Sequence, residues 1–258
     1  MTGRPDRMLL SGPLESAALL TVLPVPRRAA ASTRGVLPWA PLVGLALGGI
    51  ATGTAVLGDR WISPLAGAVL GIAVLALLTR GLHLDGLADT ADGLGPLRGR
   101  ERALQVMHQS DVGPFGVVTL VLTLLLQVAC LAALLETRWG WLAFWSAVVV
   151  ARLAMARTGL PGVATADGSS LGALVRDTVS VPWFAAWGVV LLGLLAAATT
   201  GHLEPAGRLA ASELAGLLAA ELVHRRARTR LGGVTGDVMG AMGETATVVT
   251  LLVAAAAL

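Results

Sequence analysis

The segment 82–94, LHLDGLADTADGL, holds the residues best suited to chemistry. Asp85, Asp89 and Asp92 recur at i, i+4 and i+7, so a helix over this stretch sets all three carboxylates on one face. Like charges at that spacing repel, and no basic residue lies between them. A divalent cation would offset them. Oxygen-only ligands suit Mg2+ or Mn2+, and Mg2+ typically takes one or two carboxylates plus substrate phosphates. The plainer reading, three solvated acids at a helix start, leaves that repulsion standing beside an apolar segment, where ionisable residues mark function. His83 precedes Asp85 by two residues, off the shared face; it is suited to contacting substrate, to acting as a base, or to a simple interfacial role.

Three further segments carry polar residues of interest. In 98–116, RGRERALQVMHQSDVGPFG, Arg98, Arg100 and Arg102 offer positive charge to phosphate oxygens or anchor a membrane edge. Gln109, Ser110 and Asp111 form a polar turn, with Asp111 a further candidate ligand. Arg152 and Arg157 interrupt the apolar run 139–160. Arg157 is near enough to its end to snorkel, whereas Arg152 is deeper and calls for an acid or a phosphate. In 231–244, LGGVTGDVMGAMGE, Asp237 opens the last apolar segment, with Thr235 and Glu244 as candidates for the same polar site. The glycines permit tight turns and backbone N–H donation to phosphate.

The elements that hold these residues are membrane helices. The chain is 55% hydrophobic and only 14% charged, with mean hydropathy +0.76, against roughly 25% charged in soluble domains. All 19 basic residues are arginine, which excludes a lysine nucleophile or Schiff base. Cys130 is the one cysteine, so neither an internal disulfide nor a zinc cluster is expected. Seven apolar segments are predicted at about 37–57, 62–79, 116–135, 139–160, 183–199, 206–223 and 238–258, in an all-α polytopic bundle forming a single domain over 1–258. The last is expected to start late or to be broken near Gly240 and Gly243. Residues 8–25 are read as an interfacial N-terminal segment, not a cleaved leader, because Pro13 and Glu15 interrupt the stretch. With the N-terminus inside, sixteen arginines fall on the cytoplasmic side and Arg60, Arg138 and Arg208 on the other. The long connections 80–115, 161–182 and 224–237 then also face the cytoplasm, and with them the acidic segment.

Taken together, TVLPVP at 21–26, PLVG at 41–44, LHLDGLADTADGL at 82–94, the segment 107–116, Arg152 with Arg157, and LGGVTGDVMGA at 231–241 resemble the adenosylcobinamide-GDP ribazoletransferase (cobalamin-5′-phosphate synthase) family nearly end to end. The acidic block is very specific to it. The resemblance implies transfer of the cobinamide phosphate of adenosylcobinamide-GDP to a ribose hydroxyl of α-ribazole or its 5′-phosphate, with loss of GMP, at the cytoplasmic (inner) membrane. Mg2+ is the implied ion, with Asp85, Asp89, Asp92 and Asp237 as its ligands. His83 joins the three α-helical acids as a catalytic candidate, and Arg152, Arg157, Arg98, Ser110 and Thr235 are substrate-binding candidates. The family more often has an acid before the serine and a basic residue after it, where this chain has Gln109 and Asp111. Expected partners are the two substrates and the lipid bilayer, with no nucleic acid; the oligomeric state is left open. The rivals are another metal-dependent phosphotransferase or prenyltransferase acting on a diphosphate, and a membrane transporter. The first would need further acids at fixed spacing, the second ionisable groups at mid-span.

Overall fold

A computed structural model describes residues 5–26, 32–95, 97 and 99–258. Helix α1 (Pro5–Leu20) leads through an extended segment and a run of turns into α2 (Ala40–Trp61) and α3 (Pro64–Leu78). α4 (Leu82–Leu94) and α5 (Arg100–Met107) follow, then α6 (Pro114–Leu135) and α7 (Gly140–Ala156), which runs into a 3-10 turn. The chain closes with the short α8 (Ser170–Val175), then α9 (Val181–Ala198), α10 (Leu203–Leu231) and α11 (Gly236–Ala257). The fold is all-α: among the described residues the sole β pairing is an isolated parallel bridge between Thr165 and Val234.

Helix starts are written locally. Ser63, Ser180 and Thr235 accept the backbone N–H of Ala66, Trp183 and Val238, each satisfying a donor that the first turn leaves free. Pro64 and Pro182 sit in the first turn, where a missing N–H costs nothing.

α2, α6, α7, α9 and α11 are each long and apolar enough to cross a membrane. α7 is the axis of the bundle, with 89% of its apolar window buried, whereas only 11% of the α9 window is, so α9 presents its side chains to lipid. α3 and α4 pass as one span only together, bent by 88°. The predicted span 206–223 lies within α10, whose 29 residues include Glu204, Arg208, Glu213 and Glu221. That charge excludes α10 from the apolar set, so five or six helices qualify where about seven were expected. α11 begins at Gly236 and runs unbroken through Gly240 and Gly243, because those glycines pack against neighbouring helices and the helix ladder is intact.

α1 is pinned to the bundle: Glu15 is buried and accepts the Gly35 N–H at 2.7 Å. The longer connections gather at one end. Thr33 Oγ1 donates to the Leu174 carbonyl, Arg100 pairs with Asp167 at 3.0 Å, and the Val234 N–H donates to the Ala164 carbonyl at 3.0 Å.

Candidate active site

α4 owes its direction to a tight corner. Arg80 (φ 57°) and Gly81 (φ 66°) both take left-handed backbone, and the Arg80 guanidinium donates to the Leu19 carbonyl at 3.0 Å. α3 runs back along α2, and α4 leaves it bent by 88°, away from the direction of the long apolar helices.

The start of α11 meets α4 at very short range. A Cβ on Gly86 would stand 2.7 Å from the Asp237 carbonyl oxygen, and one on Gly240 would stand 3.0 Å from the His83 carbonyl oxygen. Only paired glycines allow this crossing, and it sets Asp237 beside the acidic face of α4.

Along that face the three aspartates differ. Asp85 is exposed, Asp89 half-buried and Asp92 buried. Asp92, expected as a metal ligand, has both oxygens engaged by backbone: Oδ2 accepts the Gly113 N–H at 2.7 Å and Oδ1 the Gly116 N–H at 3.0 Å. It closes the start of α6, satisfying donors the helix leaves free. Asp89 has its pKa pushed up to about 7, by partial burial first and then by the charges of Asp85, Asp237 and Asp92, with His108 opposing. None of the ion pairs found among the described residues includes Asp85, Asp89 or Asp237. The donor set is therefore hard oxygen carrying excess negative charge, which fits Mg2+. Among the described residues no three acidic, histidine or cysteine side chains are grouped to enclose an ion, so the remaining ligands would have to be substrate oxygens.

Behind the acids runs a buried polar chain. Gln127 on α6 donates to Glu244 Oε2 on α11 at 2.8 Å. Glu244 acts electrostatically on Arg152 of α7, which is 2% exposed. The Arg152 Nη2 lies 3.5 Å from His83 Nδ1 on α4. Arg152 is enclosed by protein, with Glu244 the acid that acts on it, one of the two partners, an acid or a phosphate, that the sequence left open. Glu244 belongs to this chain, two turns deeper than Asp237.

A cavity of about 240 Å3 opens beside the crossing. His83, His108, Thr235 and Asp237 contribute its polar wall, and Leu20, Leu37, Val175 and Met239 are among its apolar residues. Thr235 donates to Asp237 Oδ2 at 3.3 Å while accepting the Val238 N–H.

The remaining expected residues lie apart. Arg157 pairs with Glu221 of α10 at 3.4 Å and lines a separate crevice. Ser110 and Asp111 are exposed in the α5–α6 turn, and Arg98 lies outside the described residues. Sequence reasoning missed His108, whose Nδ1 is 2.7 Å from the Leu104 carbonyl, and Gln127, a lone amide in an apolar helix. The signal for Gln127 was its polarity at mid-span; for His108 there was only its place in the polar segment before α6.

The sequence profile described as cobalamin-5-phosphate synthase matches residues 13–255. A Frankia casuarinae protein named adenosylcobinamide-GDP ribazoletransferase is 40% identical, covering 92% of this chain and 91% of its own. Proteins of the same name from Chlorobaculum parvum (36% identical; 96% of each chain) and Bradyrhizobium diazoefficiens (36%; 93% of this chain, 92% of its own) are similar throughout. No solved structure matches. With a profile match over nearly the whole chain and relatives of one name along its length, this membrane-embedded transferase of cobalamin biosynthesis belongs to the cobalamin-5-phosphate synthase family.

Proposed function

We propose that the chain transfers the cobinamide phosphate of adenosylcobinamide-GDP to a ribose hydroxyl of α-ribazole, or of α-ribazole 5′-phosphate, releasing GMP. The new bond joins the ribose oxygen to the cobinamide-side phosphorus, and the bond from that phosphorus to the oxygen of the departing GMP breaks. The observation that carries this reading is the set of uncompensated carboxylates, Asp85, Asp89 and Asp237, of which Asp237 lines a cavity of about 240 Å3.

Phosphoryl transfer needs positioning and charge neutralisation more than covalent help. Mg2+ bound by one or two of Asp85, Asp89 and Asp237 together with substrate oxygens would supply that neutralisation to the diphosphate. Thr235, through its bond to Asp237, fixes that carboxylate's orientation. A carbonyl oxygen only accepts, so His108 Nδ1 carries a proton toward Leu104, which in the neutral ring leaves the lone pair on Nε2. Beside Asp89 and Asp237, that nitrogen is the base we assign to the hydroxyl proton.

Arginine placement puts this end of the bundle in the cytoplasm, at the inner membrane. Reporter fusions within 99–105 are expected inside; an outside signal there would overturn the orientation. The activity test is direct. Purified full-length protein with adenosylcobinamide-GDP, α-ribazole and Mg2+ is expected to yield GMP and a cobalamin in equal amounts. GMP without a cobalamin would mean hydrolysis, and no GMP at all would refute the transfer.

A further inference from the structure

Resting on the transferase reading, we infer that the cavity between α1, α4, α8 and α11 seats the bicyclic base of the acceptor nucleoside, with a hydrogen bond from His83 to its one free ring nitrogen. The two substrates offer three candidates for this space: a corrin, a guanine and a benzimidazole. At about 240 Å3 the cavity falls below the range for drug-sized ligands, about 300–1,000 Å3, and excludes a corrin. Guanine presents several donors and acceptors, and those set against Leu37, Val175 and Met239 would go unpaired, at a cost for each. A dimethylbenzimidazole is a flat apolar ring with a single acceptor.

Among the described residues lining the cavity, His83 is the one whose buried side-chain nitrogen has no partner. His83 is 3% exposed, lines the cavity, and its Nε2 has no hydrogen-bond partner among the described residues. Its other nitrogen faces the guanidinium of Arg152, which can only donate. Nδ1 is therefore the lone-pair nitrogen and Nε2 carries the hydrogen. A buried N–H left unpaired is costly, and a ring nitrogen of the ligand would satisfy it. The buried end of the cavity thus reads the base, and exposed His108 together with Asp237 marks the end where the ribose meets the diphosphate. The Arg152–Glu244 chain acquires a purpose in this arrangement: it keeps His83 a donor, which removes His83 from the candidates for general base.

The test is equilibrium binding of two probes to full-length protein in nanodiscs: α-ribazole, and the riboside in which an indole carbon replaces the free ring nitrogen. Wild type is expected to bind the indole riboside at least about tenfold more weakly, as for a buried donor left unpaired. His83→Leu should erase that difference by weakening α-ribazole alone, and His83→Gln, which restores an N–H at the same reach, should recover part of it. The KM for adenosylcobinamide-GDP should be unchanged in both variants. Equal binding of the two ribosides by wild type overturns the inference without any variant, as does displacement of α-ribazole by guanosine. Either result alongside normal turnover spares the transferase reading; absence of turnover with intact riboside discrimination does the reverse.

Discussion

The carboxylates of Asp85, Asp89 and Asp237 and the chain Gln127–Glu244–Arg152–His83 share helices α4 and α11, yet their charges are balanced in opposite ways. In the chain the two charges are of opposite sign and each has a polar neighbour: Glu244 accepts from Gln127, and Arg152 faces His83. In the acidic cluster the neighbours are like charges, and Asp89 is the residue that feels them most. Groups buried without water must be compensated from within the protein. Groups at the membrane edge can be left uncompensated, and there the deficit is filled by what binds. The comparison separates scaffold from site by charge balance where residue type alone could not.

The largest effect that would break this comparison is at Asp89. Asp89→Ala should lower turnover by about a thousandfold, since it removes charge that positions a metal worth several kcal/mol to the transition state. Its thermal midpoint should stay at or above wild type, because a repelling carboxylate is gone. Arg152→Met should do the opposite. Removing one side of a buried, compensated group costs about 3 kcal/mol, read as a lower unfolding midpoint in detergent, and adding Glu244→Gln should recover part of the loss. Asp92→Ala is expected to be intermediate. It frees the N–H groups of Gly113 and Gly116, costing about 1–2 kcal/mol of stability as for a lost helix cap, with Mn2+ binding preserved.

The smallest effect is on pH dependence. The folded pKa of Asp89, about 7, stands above its usual carboxylate value of 3.8. Between those values the folded state holds a proton that the unfolded chain has lost, so Asp89 makes stability fall as pH rises from 4 to 7. Mg2+ should stabilise the protein more at pH 8 than at pH 6, where it competes with that proton. Thermal unfolding with and without Mg2+ at the two pH values checks the sign.

Much of the fold was legible because its signals are local. Hydropathy located the spans to within a few residues, and the i, i+4, i+7 spacing of the aspartates matched the helix that α4 forms. Glycines four residues apart recur along α2, but they pack on one side only. Gly44 and Gly48 pack against Val149 and Trp145 of α7, whereas Gly49 and Gly53 face open space. Spacing shows that a close approach is available, not which stripe uses it. The same limit applies at the site. Nothing near Asp92 reveals that its oxygens serve Gly113 and Gly116, more than twenty residues away. Nothing near Arg152 reveals that an acid ninety-two positions on balances it. α10 misled the span count because Arg208, Glu213 and Glu221 stand among the apolar residues of 206–223.

The central claim, that the uncompensated acids are the metal site, is tested most directly by Mn2+ binding. In electron paramagnetic resonance titrations of full-length protein with a non-reacting diphosphate nucleotide present, one Mn2+ should bind per chain. Asp89→Ala and Asp237→Ala should lose it, and Arg152→Met should keep it. Undiminished Mn2+ binding in the Asp89→Ala and Asp237→Ala double variant would contradict the account.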